Sequence, residues 1–169
     1  MKPHLLLTAL LTLFLAASAP ASSGGDHAHG DAPEWAELFG DASLPVVWQS
    51  TTAAADKITA ALATRQLAGV ADWAETIHLA SHALIDQVKL PDAESKRRLD
   101  AALEQAAKLA DEVLTGAQHQ ETDKTAAAFK RLQSAITLAS TRLPKEITTA
   151  SPQAPRFAEA PKHDGDHKH

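Results

Sequence analysis

Apolar and small residues recur at alternating spacings of three and four along most of this chain. Such spacing keeps one stripe of each helix facing its neighbours, which is typical of helices packed side by side in a bundle. We call these positions the seam. Four segments contain them: Val47, Thr51, Ala54, Ile58 and Ala61; Leu67, Val70, Ala74, Ile77, Ser81, Leu84 and Val88; Leu99, Leu103, Ala106, Ala110 and Val113; and Phe129, Leu132, Ile136, Ala139 and Leu143. The pattern predicts an all-α fold with four long helices.

The connections between these segments are short, so successive helices are expected to run antiparallel. Pro91 marks one connection, and Gly116 with the polar residues after it predicts another, with Thr122 as the following helix cap. Between the first two segments the seam slips in phase. This slip predicts a turn at residues 63–66, although one continuous helix remains the alternative. The sequence therefore predicts an up-down-up-down four-helix bundle over residues 43–147.

Shorter segments flank the predicted bundle on both sides. Residues 22–42 are predicted to form a flexible tail that ends in a short helix before Gly40. One face of that helix, expected to pack on the bundle, comprises Trp35, Leu38 and Phe39. After Pro144 the prolines and polar residues favour an extended chain, and residues 148–169 are predicted to be a disordered tail.

The first 21 residues have the order of a secretory signal peptide: a basic start at Lys2, an apolar run and small residues up to Ala21. The apolar run is shorter than the roughly 20 residues that cross a bilayer. We expect cleavage after Ala21, and an uncleaved membrane anchor is the alternative. The chain is therefore predicted to be exported, to the periplasm or the medium, with no membrane span after cleavage.

Charge and composition narrow the possible functions. The net charge is −5, and removal of Lys2 with the signal leaves 15 basic against 21 acidic residues, or −6. Nucleic-acid binding is not expected from so acidic a chain. Cysteine is absent, which excludes disulfides and catalytic thiols. Neither a glycine-rich phosphate loop nor another enzyme motif is found, so the chain is not expected to be an enzyme.

Histidine is the residue type that suggests a chemistry. Eight of the nine histidines follow the predicted signal peptide, and five of these lie in the two predicted tails, interspersed with aspartates. They are His27, His29, His163, His167 and His169. Imidazole and carboxylate groups together suit Zn(II), Cu(II) or Ni(II). In the predicted bundle both tails leave from one end, so they could close on one ion; histidines incidental to a polar tail are the alternative.

A second candidate metal site lies on the second predicted helix. Glu75, His78, His82 and Asp86 fall in one stripe at about 100° per residue, with His78 nearest the seam. Such a stripe can supply part of a metal site at the solvent edge. An ordinary polar flank of the helix is the alternative interpretation.

Glu75 and His78 also fit the Glu-x-x-His pattern of di-iron bundles, which requires a second such motif that the chain lacks. The chain also lacks Cys-x-x-Cys-His and any methionine after Met1. Neither a di-iron centre nor haem is therefore expected.

Over residues 43–143 and the tails, the chain resembles small exported four-helix-bundle proteins. These include cytochrome b-type and cytochrome c′-type bundles and His-rich periplasmic metal-handling proteins. The two His/Asp tails and the histidine pair of the second helix predict a periplasmic metal-binding accessory protein, in agreement with the second resemblance. It would buffer Zn(II), Cu(II) or Ni(II) or pass it to an envelope efflux or uptake protein. The alternative is a non-catalytic helical interaction module with incidental histidines, in which Trp35, Phe39 and Trp48 would anchor a partner.

Overall fold

A computed structural model of the chain describes residues 33–150, and every regular element within them is a helix. The helices are α1 (Trp35–Phe39), α2 (Leu44–Ala63), α3 (Val70–Gln87), α4 (Ala93–Gln118), α5 (Thr122–Ser140) and α6 (Lys145–Thr148). The prediction of an all-α chain is confirmed for this range. The predicted signal peptide, most of the predicted tails and all five tail histidines lie outside the described residues.

The seam forms the core of the helical body. All of its positions are buried except Ala61 and Leu67, and these two still pack against the core from the ends of the α2–α3 connection. The seam contains many alanines, whose small side chains allow close approach between helices. The alternating spacing thus identified the buried face of each long helix.

Helix α4 is central to the packing, because its most extensive contacts are with α3 on one side and α5 on the other. Helix α2 packs mainly on α3 and makes a smaller contact with α5. Arg142, two residues after α5 ends, donates a hydrogen bond to the carbonyl of Arg98 in the second turn of α4. Further along the pair, Arg131 in the middle of α5 donates to Glu112 of α4 at 2.6 Å. The helices are therefore joined by polar contacts at the rim as well as by the core.

Helices α2 and α3 are separate, as the slip in the seam predicted. Helix α2 ends at Ala63, and Arg65 then adopts a left-handed backbone with φ of 55°. Gly69 is also left-handed, with φ of 77°, immediately before α3 begins. A Cβ atom at Gly69 would lie 2.9 Å from the Trp73 ring, so both the backbone angle and the space favour glycine here.

The predicted start of the α4–α5 turn is wrong. Gly116 lies within α4, buried against Thr125 of α5, and the chain turns two residues after the helix ends, at Gln120 with φ of 58°. Thr122 is also not the cap, since it is the first helical residue and Glu121 occupies the cap position without a side-chain hydrogen bond. Glycine serves here to allow close helix contact rather than to end a helix.

Two short helices cover the body where the sequence predicted one. In α1, Phe39 is buried and Trp35 and Leu38 pack on the core, as predicted. Helix α6 was not predicted: Lys145–Thr148 forms one turn that buries Ile147. Beyond it, Gln49 of α2 donates a hydrogen bond to the carbonyl of Ala150 at 3.0 Å. Residues 145–150 therefore fold back on α2 instead of extending away, and the rest of the predicted tail lies outside the described residues.

Asp92 caps α4 and links the stability of the fold to pH. Its Oδ2 accepts the backbone N–H of Ser95 at 2.8 Å, and the hydrogen bonds from Ser95 lower the pKa of Asp92 below its usual 3.8. Hydrogen bonds from Arg97 and then Arg98 likewise lower the pKa of Glu94 from 4.5. Since both pKa values are lower in the folded chain than in the unfolded one, this stabilisation is complete above those usual values. It is lost as the pH falls through the lower folded values.

We therefore expect the melting temperature to fall on acidification from pH 5 to pH 3, and to fall less in the Asp92→Asn variant. Asparagine is also a good helix cap, but its side chain cannot titrate. The matched control is Asp56→Asn at an exposed position of α2. An acid response in Asp92→Asn as large as that of the unmodified chain, measured by circular dichroism, would contradict this assignment.

Candidate metal-binding site

The predicted stripe lies on one face of α3, because the whole segment Val70–Gln87 is helical. Glu75, His82 and Asp86 are exposed, whereas the His78 side chain is only 26% exposed. This difference follows from the seam, since His78 comes directly after the buried Ile77. The stripe therefore follows the edge of the core, with one histidine partly inside it.

The two histidines of the stripe are in direct contact. The ring centroids of His78 and His82 lie 4.7 Å apart, with the ring planes inclined by 50°. A spacing of four residues places side chains one turn apart on the same face, so neither imidazole needs a bend in the backbone to approach the other. Two imidazoles in this arrangement can supply two nitrogen ligands to one ion.

Asp111 of α4 approaches His78 from the neighbouring helix. Its Oδ1 lies 2.7 Å from the Nδ1 of His78, but the contact does not have hydrogen-bond geometry, and this Nδ1 atom is shielded from solvent without a hydrogen-bond partner among the described groups. Two lone pairs would repel at that distance, so we assign a proton to Nδ1. In the neutral ring the lone pair then lies on Nε2, the nitrogen that remains available for a metal.

The remaining members of the stripe do not join this pair. The carboxylate of Asp86 accepts a hydrogen bond from the indole nitrogen of Trp35, with Oδ2 2.7 Å from Nε1. Glu75 is exposed one turn before His78. Among residues 33–150, no three His, Asp or Glu side chains converge closely enough to hold a metal ion together. The described part of the site is thus a histidine pair with a carboxylate behind it.

Of the sequence-predicted metal residues, the structure brings together His78 and His82 and leaves Glu75 outside the cluster. His27, His29, His163, His167 and His169 lie outside the described range. The contact of Asp111 with His78 was not predicted from the sequence. Asp111 is one of several acidic residues along α4, and no periodicity distinguishes the one that faces a histidine of another helix.

No protein-family model, curated protein or solved structure matches this chain. None of the helices within residues 33–150 is long and apolar enough to cross a membrane.

Proposed function

We propose that this chain is an exported metal-binding accessory protein that holds a divalent transition metal, Zn(II), Cu(II) or Ni(II). It would buffer the ion in the periplasm or deliver it to an efflux or uptake protein of the envelope. The observation that carries the proposal is the cluster on α3 and α4. There the buried Nδ1 of His78 faces Asp111, and the His82 ring lies beside it.

A carboxylate close to the second ring nitrogen is a common feature of metal-binding histidines. A histidine ligand almost always donates its second ring N–H to a carboxylate or carbonyl, which fixes the tautomer and makes the coordinating nitrogen more basic. The Asp111 carboxylate lies 2.7 Å from Nδ1 of His78, close enough to accept that N–H after a small rotation, which would leave Nε2 for the metal. An ordinary exposed histidine on a polar face needs no such partner.

The ligand chemistry limits which ions are suitable. Imidazole and carboxylate favour Zn(II), Cu(II) and Ni(II), whereas Cu(I) prefers sulfur ligands. The chain has no cysteine, and its single methionine is Met1. The tail histidines would add weaker binding sites for the same ions, and additional weak sites suit a protein that buffers a metal.

Two architectural proposals accompany this function. The first is export through the predicted signal at residues 1–21. The second is that α2, α3, α4 and α5 form an up-down-up-down bundle. The α2–α5 contact supports this arrangement, as do two hydrogen bonds in which the earlier residue of α4 pairs with the later residue of the α5 segment, Arg98 with Arg142 and Glu112 with Arg131.

The alternative is an interaction module, but the aromatic residues expected to bind its partner already make contacts within the fold. Phe39 and Trp48 are buried, with exposures of 2% and 5%, and Trp35 is bound to Asp86. Leu138 is the only large apolar side chain that is exposed among the described residues. No described feature therefore favours the binding of a partner through an apolar surface.

The test is calorimetric titration of residues 22–169 with each of the three ions. We expect at least one ion to bind with a dissociation constant below about 100 μM, which corresponds to a binding free energy of about −5.5 kcal/mol. The tightest class of sites should disappear in the His78→Ala/His82→Ala variant. His119→Ala, an exposed histidine at the end of α4, is the control. Affinities all weaker than 100 μM, or a tight class that survives the double substitution, would disprove the proposed function.

Asp111 provides a second and finer test. Asp111→Asn should weaken the tight site by about 10- to 100-fold, the usual effect of losing the partner of a metal ligand. Glu112→Gln removes the same charge at the next position, where the side chain pairs with Arg131 instead, and should leave metal affinity unchanged. Equal losses in both variants would indicate general electrostatics rather than a specific role for Asp111.

A further inference from the structure

The histidine pair on α3 is an incomplete metal site. Zn(II) in proteins is almost always tetrahedral, with four protein ligands in structural sites and three in catalytic ones. His78 and His82 supply two, and no third His, Asp or Glu side chain converges on them within residues 33–150. Even Asp86, the next carboxylate on this face, is separated from His78 by about 12 Å along the helix axis. The missing ligands must therefore come from outside the described part of this chain.

The pair is placed so that an ion bound to it would lie at the surface. His82 is exposed, and the His78 side chain is 26% exposed although its Nδ1 is shielded beside Asp111. Nε2 of His78 is therefore the nitrogen that can meet an ion from the solvent side. The remaining coordination positions of that ion would face away from α3, where a second molecule can approach.

The exposed surface of α3 around the pair is acidic. Apart from His82, the exposed side chains of this helix are all carboxylates, at Asp72, Glu75 and Asp86. The only exposed large apolar side chain in the described range, Leu138, lies on α5. Two copies of the α3 surface would therefore repel each other, because like charges meet and no apolar patch compensates. A divalent cation between the two surfaces replaces this repulsion with attraction.

We propose that the ion is held between two copies of this chain, each of which contributes His78 and His82. This inference rests on the proposed function and names the partner that completes the same site. A twofold axis through the ion places the same surface of each chain in the interface, as in most homodimers. Four imidazole nitrogens then complete the tetrahedral shell that Zn(II) favours. Uptake of the ion and association of the chains are thus a single linked equilibrium.

The stoichiometry of the complex tests this proposal directly. Sedimentation velocity of residues 22–169 should show a single-chain mass without metal and a doubled mass with one Zn(II) per two chains. A chelator should restore the single-chain mass. In calorimetry, the tight class of sites should saturate at one ion per two chains. The dimer should decline again in a large excess of Zn(II), because each histidine pair then takes an ion of its own.

Three variants assign the effect to the histidine pair. His82→Ala leaves one ligand per chain, so it should abolish dimerisation by Zn(II). The fold should be retained, since His82 is exposed, and circular dichroism verifies this. His119→Ala removes another exposed histidine, at the end of α4, and should dimerise like the unmodified chain. Replacement of all five tail histidines by alanine should also leave the dimer intact.

The possible failures of this experiment are distinguishable. A tight class that saturates at one ion per chain, with the mass of a single chain, would overturn the shared site and leave the proposed function standing. Dimerisation that persists in His82→Ala, or that is lost with the tail histidines, would overturn it as well. If no ion binds the unmodified chain with a dissociation constant below about 100 μM, the proposed function itself is wrong.

Discussion

Replacement of Leu103 by alanine is expected to destabilise the fold by about 2–5 kcal/mol, the usual cost of truncating a fully buried leucine. Leu103 is 1% exposed and lies in α4, the helix that contacts both α3 and α5 most extensively. Two effects lower the stability. The variant buries less apolar surface, and the truncation leaves a cavity that the close-packed helices cannot fill. A loss of this size is a large fraction of the 5–15 kcal/mol that typical domains have in total.

The same substitution at Leu138 is the matched control. That side chain is 45% exposed, so Leu138→Ala should change stability by no more than about 0.5 kcal/mol. Urea unfolding of both variants, followed by circular dichroism at the helical band, measures the difference. Similar losses at the two positions would mean that α4 does not lie at the centre of the packing.

Gly116→Ala is expected to destabilise the fold by about 1–3 kcal/mol, the usual cost of overpacking a core. At an ordinary position inside a helix the same change stabilises, by roughly 0.5–1 kcal/mol, because alanine loses less conformational entropy than glycine. Here a Cβ atom would lie 2.7 Å from Oγ1 of Thr125 and 3.3 Å from its backbone. Thr125 has little freedom to move away, because it is fully buried and its hydroxyl donates to the carbonyl of Glu121 at 2.9 Å.

A cycle with Thr125→Ala isolates this contact. Removing the hydroxyl relieves the closest approach, so Gly116→Ala should cost less in the Thr125→Ala background than in the unmodified chain. Denaturant unfolding of the four proteins gives the coupling free energy. Stabilisation by Gly116→Ala alone would show that α4 and α5 are not in close contact at this point.

Of the three side chains in the candidate metal site, the sequence predicted the two histidines. His78 and His82 were identifiable because a helical period places residues four apart on one face, and the structure brings their rings into contact. The same argument suggested Glu75, which does not join them. Asp111 could not be predicted, since pairing it with His78 requires the register between α3 and α4. The bond from Trp35 to Asp86 was also not predictable, because it joins residues 51 positions apart.

The alternating three-and-four spacing by itself determined that this chain is helical and which face of each long helix is buried. Burying apolar surface is the dominant driving force in folding, and an apolar stripe with helical periodicity is buried when that face of the helix turns towards its neighbours. The spacing also correctly separated α2 from α3, because a slip in phase cannot be accommodated by one straight helix.

Only the tertiary structure decided where the chain turns and which partners the polar side chains have. It placed Gly116 inside α4 and folded α6 back on α2. It also selected Asp111 among the acidic residues of α4 as the partner of His78. The physical reason is that solvent satisfies exposed polar side chains almost equally well in many positions. Their partners are therefore fixed by the offset between packed helices, which is set by the shapes of the buried side chains and leaves no periodic signal in the sequence.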